Sequence, residues 1–435
     1  MSVNDDRALG VEPSARGPRL QYRRLEISLA FVLSLLLLGV GSAGSTGPAT
    51  VADDGEIAPI GASAGGSGGL AGDLGASPST GQGLVAVAGA TASPTAQPTP
   101  TAGATLAPAT PPGAVPTPAP TAPPATSAPV SGGIALPASI DSTGGSDASR
   151  AINAWLGSVP NGSTIVFRAG GTYRLDGAIK FSHKSGLVFE GNGATLRGNG
   201  GTTEASSIFW IGNYGGAATS ITIRHFNMIG NSSRPGVYVG GEEGAHGVLV
   251  DGASGINVNH VTISKIWGDC LYVGGGASGV TFSSSSCLSN GRNGVTVTSG
   301  SNITVSGDRF DHAGYCTFDL EPNHSTETIR NVRFLNNTAG TWTNSFLSAE
   351  GASGSTINGV TVSGNSITGG SMTTIIRLAR RQNISITNNR SSVSTRGPVL
   401  LLAHIDGLTV TGNSEPLSAG EIASISDCTG VRYQP

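Results

Sequence analysis

Charge is scarce in this chain: Asp, Glu, Lys and Arg together make up 12% of its 435 residues, and the formal net charge is −3. That balance excludes the basic footprint of a nucleic-acid-binding surface, and no acidic block is long enough to serve as a solvating tail. Aromatic residues are also few, at 5%. The four cysteines, Cys270, Cys287, Cys316 and Cys428, form no C-x-x-C pair, which removes support for a zinc or thioredoxin-like site. Export permits disulfides, but the sequence does not choose among the possible pairings. Between residues 45 and 130 there is neither Lys nor Arg. Glycine, at 67 residues, is abundant instead, and the chain divides sharply into unlike parts.

Residues 1–44 begin polar, with Arg16, Arg19, Arg23 and Arg24, and continue as the uncharged run ISLAFVLSLLLLGVGSAG from Ile27 to Gly44. A positive flank, an apolar stretch and small residues after it describe a secretory signal peptide; the run is also long enough for a short signal anchor. Both readings export the rest of the chain and place it outside the cell or on its surface. Residues 45–130 form a low-complexity Ala/Pro/Thr/Gly linker that includes TASPTAQPTPTAGATLAPATPPGAVPTPAPTAPPAT from Thr91, too rich in proline to build a core. It reads as a stalk. The remainder, 131–435, is the folded domain.

Within that domain an eight-residue pattern recurs: LVFEGNGA at Leu187, ITIRHFNM at Ile221, INVNHVTI at Ile256, VTFSSSSC at Val280 and ITVSGDRF at Ile303. It continues as VRFLNNTA, VTVSGNSI, ISITNNRS and LTVTGNSE at Val332, Val360, Ile384 and Leu408, with IVFRAGGT at Ile165 as first member. Repeats spaced mostly in the twenties denote a solenoid, and alternation with period two in β-branched residues denotes strands. The predicted fold is all-β: a right-handed parallel β-helix solenoid of about ten coils. Asn337, Asn365, Asn389 and Asn413 share the turn position, where Asn tolerates a left-handed backbone and stacked amides bond along the axis. Ahead of the coils, SDASRAINAWLGS reads as a short N-terminal capping helix started by Ser146 or Asp147, with Ile152, Trp155 and Leu156 covering the open end.

The run DASRAINAWLGSVPNGSTIVFRAGGTYRLDGAIKF, with LVFEGNGATLRG after it, resembles the opening module of the pectin-lyase-like right-handed parallel β-helix superfamily, over residues 138–435. The resemblance implies the scaffold, which serves lyases, hydrolases, epimerases and tailspikes alike. Polygalacturonase-like motifs are only partly matched: Gly268-Asp269-Cys270 fits part of one, and His246-Gly247 lies on the wrong side of it.

A second strand comes after each repeat. Aligned without gaps, DCLYVGG from Asp269, NGVTVTS from Asn293 and CTFDLEP from Cys316 put Tyr272, Thr296 and Asp319 in one outward column. Glu321 points out beside Asp319, Ser348 and Glu350 occupy the next coil, and Arg377 enters the Asp319 column after a one-residue slip. Asp319, Glu321 and Glu350 are the expected acidic cluster, with Asp269 as a further catalytic candidate. Tyr272, Arg292, His246 and Arg377 are the expected substrate-binding residues. The insertion at 230–245 is expected to wall one side of a groove.

A flat strand face suits an extended polysaccharide. Carboxylate general acid/base hydrolysis needs no cofactor. In the lyase alternative a base removes the proton beside a uronate carboxyl group that arginine or calcium neutralises, with Asp319, Glu321 and Glu350 holding the metal. A non-catalytic glycan-binding surface or adhesin is the third reading. Plainer roles stand beside these: a turn cap for Asp269, a turn bond for His246, and solubilising surface for any single carboxylate. The expected partners are a polysaccharide, no nucleic acid, and a membrane only through the N-terminal segment; the sequence does not distinguish monomer from trimer.

Overall fold

The computed structural model describes residues 132–212, 217–349, 351–370, 375–393, 399–414 and 423–434. The signal or anchor segment 1–44, the linker 45–130 and Glu350 lie outside the described residues.

The chain winds into coils, each contributing short strands to two parallel sheets. One sheet has 20 strands and takes two from a typical coil; the other has 10 and takes one. The ten-stranded sheet runs from Ile179–Phe181 through Phe209–Gly212, Val248–Asp251, Leu271–Gly274, Val295–Val297 and Phe318–Leu320. It then continues through Leu347–Ala349, Ile376–Ala379 and Leu400–Ala403 to Ala423–Ser426. One strand per coil gives the ten coils that the repeat predicts.

Alternation dictates what fills the cylinder. Ile256, Val280, Ile303, Val332, Val360, Ile384 and Leu408 stack in successive register and are buried. Each such side chain contributes roughly 1.5–3 kcal/mol by leaving water, and phenylalanines fill the middle: Phe318 stacks on Phe334 with centroids 4.1 Å apart. The repeat register holds from Leu187 and Ile221 onward. The first member differs: Ile165 pairs with Phe189, so the first coil is offset by two residues from the pattern beginning at Ile165. The helix Ser149–Leu156 caps the N-terminal end, with Ile152 and Leu156 buried and Trp155 packed against the core. Its N-cap is Ala148, one residue beyond the predicted start, and Asp147 reaches back to accept the Ser149 N–H at 2.9 Å.

The asparagine ladder is present, with one correction. Asn337 donates its Nδ2 to Asn365 Oδ1 at 3.0 Å, Asn365 to Asn389 at 2.8 Å, and Asn389 to Asn413 at 2.9 Å. The left-handed residue is the one before each: Asn336, Gly364, Asn388 and Gly412, with φ between 55° and 69°. That bend turns the ladder side chain inward, where its oxygen also accepts the backbone N–H of the previous coil's ladder residue.

The ladder extends further than its asparagines. Asp308 comes directly after the left-handed Gly307, gives its N–H to Asn337 Oδ1 at 3.0 Å, and takes the Ser285 N–H on Oδ1 at 2.7 Å. Its Oδ2 is buried without a hydrogen-bond partner. At the matching place Asn337 Nδ2 donates to the Val305 carbonyl, and the corresponding residue one coil earlier is Phe282. Burial, opposed only by N–H groups of Ser285 and Ser306, pushes the Asp308 carboxyl up to about 8. No charged group contributes. A neutral Asp308 carries a hydrogen where asparagine has its amide donor.

Linkage gives the sign of the pH dependence. Above the ordinary value of 3.8 the unfolded chain has lost this proton, while the folded chain keeps it up to about 8. Stability therefore falls with rising pH across that window and levels off above it. Asp308→Asn supplies the donor at every pH, so its unfolding free energy, followed by denaturant melts across the range, should exceed the parent's by a margin that grows between these two values and reaches a few kcal/mol. A margin that does not change with pH would refute the neutral ladder acid.

Candidate functional site

The outward column of the ten-stranded sheet is continuous. Lys180, Trp210, Leu249, Tyr272, Thr296, Asp319, Ser348, Arg377 and Leu401 pair in register from strand to strand. Tyr272, Thr296, Asp319, Ser348 and Arg377 thus stack as the alternation predicts, including the slip that admits Arg377.

The column is not an open ledge. Asp319 is 5% exposed, and Thr296, Thr298 and Ser348 are also buried. Beside it, the Arg292 guanidinium reaches from Asp269 Oδ2, at 3.4 Å from Nη1, to Glu321 Oε2, which it contacts through Nη2. Burial works against the Arg292 charge, but Asp269, Glu321 and Asp319 outweigh it and hold the guanidinium firmly protonated. Arg292 was expected to bind substrate; its side chain, 15% exposed, is occupied as the countercharge of the acidic cluster. Glu321 is the more accessible acid, with 38% of its side chain exposed.

Asp269 and His246 are buried. They belong to a second ladder at the corner entering the ten-stranded sheet. The His246 N–H donates to Ser207 Oγ at 3.0 Å, the Asp269 N–H to His246 Nδ1 at 3.1 Å, and the Asn293 N–H to Asp269 Oδ1 at 2.8 Å. The Cys316 N–H then donates to Asn293 Oδ1 at 2.9 Å, and Cys316 Sγ lies 3.3 Å from Ser345 Oγ. A corner N–H has no strand partner, so each coil supplies a side-chain acceptor to the next. Asp269, a catalytic candidate on sequence, is fully buried, and its oxygens accept from the Asn293 N–H and Arg292. Burial raises its carboxyl, while Arg292, the Asn293 N–H and Thr296 act in the opposite sense.

His246, expected on sequence to bind substrate, is buried as well. Burial first, and then the Arg292 charge, holds its imidazole down to about 3, so it is neutral and accepts through Nδ1. Its ring stacks on Tyr272 with centroids 4.7 Å apart, which fixes Tyr272 in the outward column.

Asn293 is the residue that the sequence-based site omits. It is fully buried and its Nδ2 donates to Thr296 Oγ1 at 2.9 Å and to Asp319 Oδ2 at 3.3 Å. A signal for it exists in the ungapped alignment of DCLYVGG, NGVTVTS and CTFDLEP, whose first letters are three successive members of this ladder. Cys270, next to Asp269, is bonded to Cys287, the pairing that the sequence left open; Cys316 and Cys428 are free.

The insertion at 230–245 lies against the same corner. The Gly236 N–H donates to Ser289 O at 3.0 Å, and Tyr238 bonds Glu243 at 3.2 Å while its ring sits 5.4 Å from that of Tyr315. Tyr315 precedes the Asp319 strand and donates its N–H to the Arg292 carbonyl. Among the described residues no group of three His, Cys, Asp or Glu side chains is disposed to hold a metal ion. Glu350, the third carboxylate of the calcium reading, lies outside them.

A family model agrees with this architecture. Residues 246–415 match the family model described as a right handed beta helix region. No curated protein matches the sequence. Similar solved structures include PfbA, a surface adhesin of Streptococcus pneumoniae, with TM-score 0.45 and 11% identity over 67% of this chain and 90% of that one. Another is the catalytic unit of an alpha-1,3-glucanase from Streptomyces thermodiastaticus, with TM-score 0.39 and 15% identity; 71% of this chain is covered, and it spans 65% of that unit. A third is an exopolygalacturonase from Yersinia enterocolitica, with TM-score 0.42 and 11% identity over 68% of this chain and 77% of that one. The described domain is a right-handed parallel β-helix.

Proposed function

We propose that the protein is exported through its N-terminal segment and that its β-helix engages an extended polysaccharide along the ten-stranded sheet, cleaving it by hydrolysis with Asp319 and Glu321 as the acid–base pair. The observation that carries this reading is the pair itself: two carboxylates two residues apart on one strand face, held by Asn293 and Arg292 on a buried corner ladder. Their Cα atoms stand about 6.6–7 Å apart by strand geometry, a backbone spacing compatible with the roughly 6.5–9.5 Å between carboxyl groups that inverting hydrolysis requires.

The roles divide by environment. Glu321 lies beside a guanidinium and toward solvent, which suits the base that takes a proton from the attacking water. Asp319 is shielded from water, which suits the acid that protonates the leaving glycosidic oxygen. Tyr272, locked by His246, offers an aromatic surface to a sugar ring in the same column. One observation favours a second reading, glycan binding without cleavage: Asp319 has little exposed surface, so a substrate reaches it only if the cover over it yields.

Two measurements separate these readings. Incubated with a panel of neutral and uronate polysaccharides, the full chain should release reducing ends without forming unsaturated, ultraviolet-absorbing sugars, and chelator should leave the rate intact. Asp319→Asn and Glu321→Gln should each lower kcat by about 100-fold or more while glycan binding persists. Unsaturated products would indicate a lyase, and binding without any new ends would leave only the surface-binding role.

Asn293→Ala provides the second test. It removes the acceptor of the Cys316 N–H and the donor to Asp319, so the melting temperature should fall by the equivalent of about 1–3 kcal/mol. Because Asp319 loses its orienting contact, kcat should also fall with little change in KM. A stability loss with unaltered kcat would assign Asn293 to the framework alone.

A further inference from the structure

The ladder of Asp308 and the asparagines stops short of the earlier coils. At the place that Asp308 occupies, the coil of Ile256 carries Val261 and the coil of Ile221 carries Phe226, both buried and apolar. Directly before each stands a histidine in the left-handed region, His260 with φ 52° and His225 with φ 59°. Histidine tolerates that backbone, but the turn alone does not call for an imidazole. The same place holds Ser284, Gly307 and Asn336 in the next three coils.

The two imidazoles are held on one side only. His225 Nδ1 lies 2.9 and 3.1 Å from the two oxygens of Glu190, a carboxylate whose side chain is 1% exposed. Glu190 also accepts from Arg224 Nε at 2.8 Å and from the Asn192 N–H at 3.0 Å, so its position is fixed and its charge is matched by the guanidinium. His260 Nδ1 lies 2.9 Å from Asn259 Oδ1, and Asn259 Nδ2 donates to Asn257 Oδ1 at 3.1 Å, which keeps the Asn259 oxygen on the ring. An ionised carboxylate or an amide oxygen can only accept. Both rings therefore carry hydrogen on Nδ1 and, when neutral, present a lone pair on Nε2. Among the described residues neither Nε2 has a protein partner. His260 is exposed and the His225 side chain is 29% exposed, so solvent reaches both.

Metal-ligating histidines have this pattern: one ring nitrogen donates to a carboxylate or carbonyl oxygen that orients the ring and raises its basicity, and the other binds the ion. The spacing fits as well. The ring centroids are 5.4 Å apart, with planes inclined at 45°. One ion bonded to two Nε2 atoms at about 2.0–2.1 Å, with a near-tetrahedral angle, sets the centroids about 5 Å apart. Imidazole nitrogen selects ions such as Zn²⁺ and Cu²⁺ over Ca²⁺ and Mg²⁺, which take oxygen. Glu190 is occupied in orienting His225, so the protein supplies two ligands and water supplies the others.

The geometry points to a transition-metal site at this corner, in which His225 and His260 bind one ion of the Zn²⁺ or Cu²⁺ class through Nε2, oriented by Glu190 and Asn259. The strands that carry it, Thr219–Ile229 and Ser254–Asn259, belong to the 20-stranded sheet, so the site is independent of the reaction proposed for the ten-stranded one. An ion held there joins two successive coils side chain to side chain, where the buried amide ladder does not.

Titration calorimetry on the full chain with Zn²⁺, Cu²⁺ and Ca²⁺ at neutral pH tests the assignment. Zn²⁺ and Cu²⁺ should bind, and Ca²⁺ should not compete with them. His225→Asn and His260→Asn keep a residue suited to the left-handed backbone, and each should weaken Zn²⁺ binding by about 100-fold or more. Glu190→Gln should weaken it by about 10-fold or more. His312→Asn, at another left-handed corner, should leave it unchanged. In the parent, the electron paramagnetic resonance spectrum of bound Cu²⁺ should show coupling to two imidazole nitrogens, and in either histidine variant to one. Added Zn²⁺ should raise the melting temperature of the parent and leave that of His260→Asn where it is; because His260 is exposed, this variant reads metal binding without disturbing the core. The site is overturned if the parent binds no Zn²⁺, if either histidine variant binds it as tightly as the parent, or if the copper spectrum is the same in all three. Displacement of Zn²⁺ by Ca²⁺ would equally reject it, since that is the mark of an oxygen site elsewhere.

Discussion

A coil that turns a corner leaves a backbone N–H pointing along the axis with no strand beside it. In this protein that group is met by a side chain from the neighbouring coil, and the requirement fixes the rest. One ladder, from Ser285 through Asp308 to Asn413, passes acceptors toward the N-terminus. The other, from Ser207 through His246, Asp269 and Asn293 to Cys316, passes them toward the C-terminus. Buried polar groups of this kind tolerate no slip, since a one-residue shift leaves a donor unsatisfied and turns every inward side chain out. The register of the outward column, and hence the meeting of Asp319 with Glu321 and Arg292, is a consequence.

That dependence explains which parts were legible in sequence. The cylinder was, because Ile256, Val280, Ile303 and their successors repeat the same alternation, and strand pairing tracks it residue for residue. The column from Tyr272 to Arg377 was legible for the same reason. Burial of its polar members was not. Period two says which face a residue occupies, but Arg292 reaches Glu321 from a corner, where alternation carries no information. Asp269 and His246 illustrate the same limit, since scarce charged residues entering a strand look like site residues and also satisfy a corner N–H. The first-letter series Asp269, Asn293, Cys316 distinguishes the two cases only once a ladder is sought there. The disulfide was illegible because Cys270 and Cys287 lie on different faces of one coil, and their approach across the interior depends on its packing.

The acidic pair is thereby tied to the framework through a single cation. Arg292 joins buried Asp269 to partly exposed Glu321, and Asn293 joins the Asp269 carboxylate to Asp319. Charge at the face is thus set in part by buried Asp269, acting through Arg292. This is the arrangement expected of a site that has to hold geometry in a solenoid whose coils contact only their neighbours, because here the positioning groups are themselves the coil-to-coil bonds.

Two aspartates at ladder positions show how much depends on that cation. Asp308 and Asp269 are both buried, both accept a corner N–H, and burial pushes both carboxyls upward. At Asp308 only backbone N–H groups oppose it, and the acid stays neutral in place of an asparagine. At Asp269 the Arg292 guanidinium, the Asn293 N–H and Thr296 all oppose it. The same residue in the same kind of corner faces only backbone N–H groups in one ladder and a guanidinium in the other. The difference is one arginine, placed where its far end meets Glu321. A corner built only for stacking has no need of that arginine, and this is the physical reason to regard the second ladder as the support of a site.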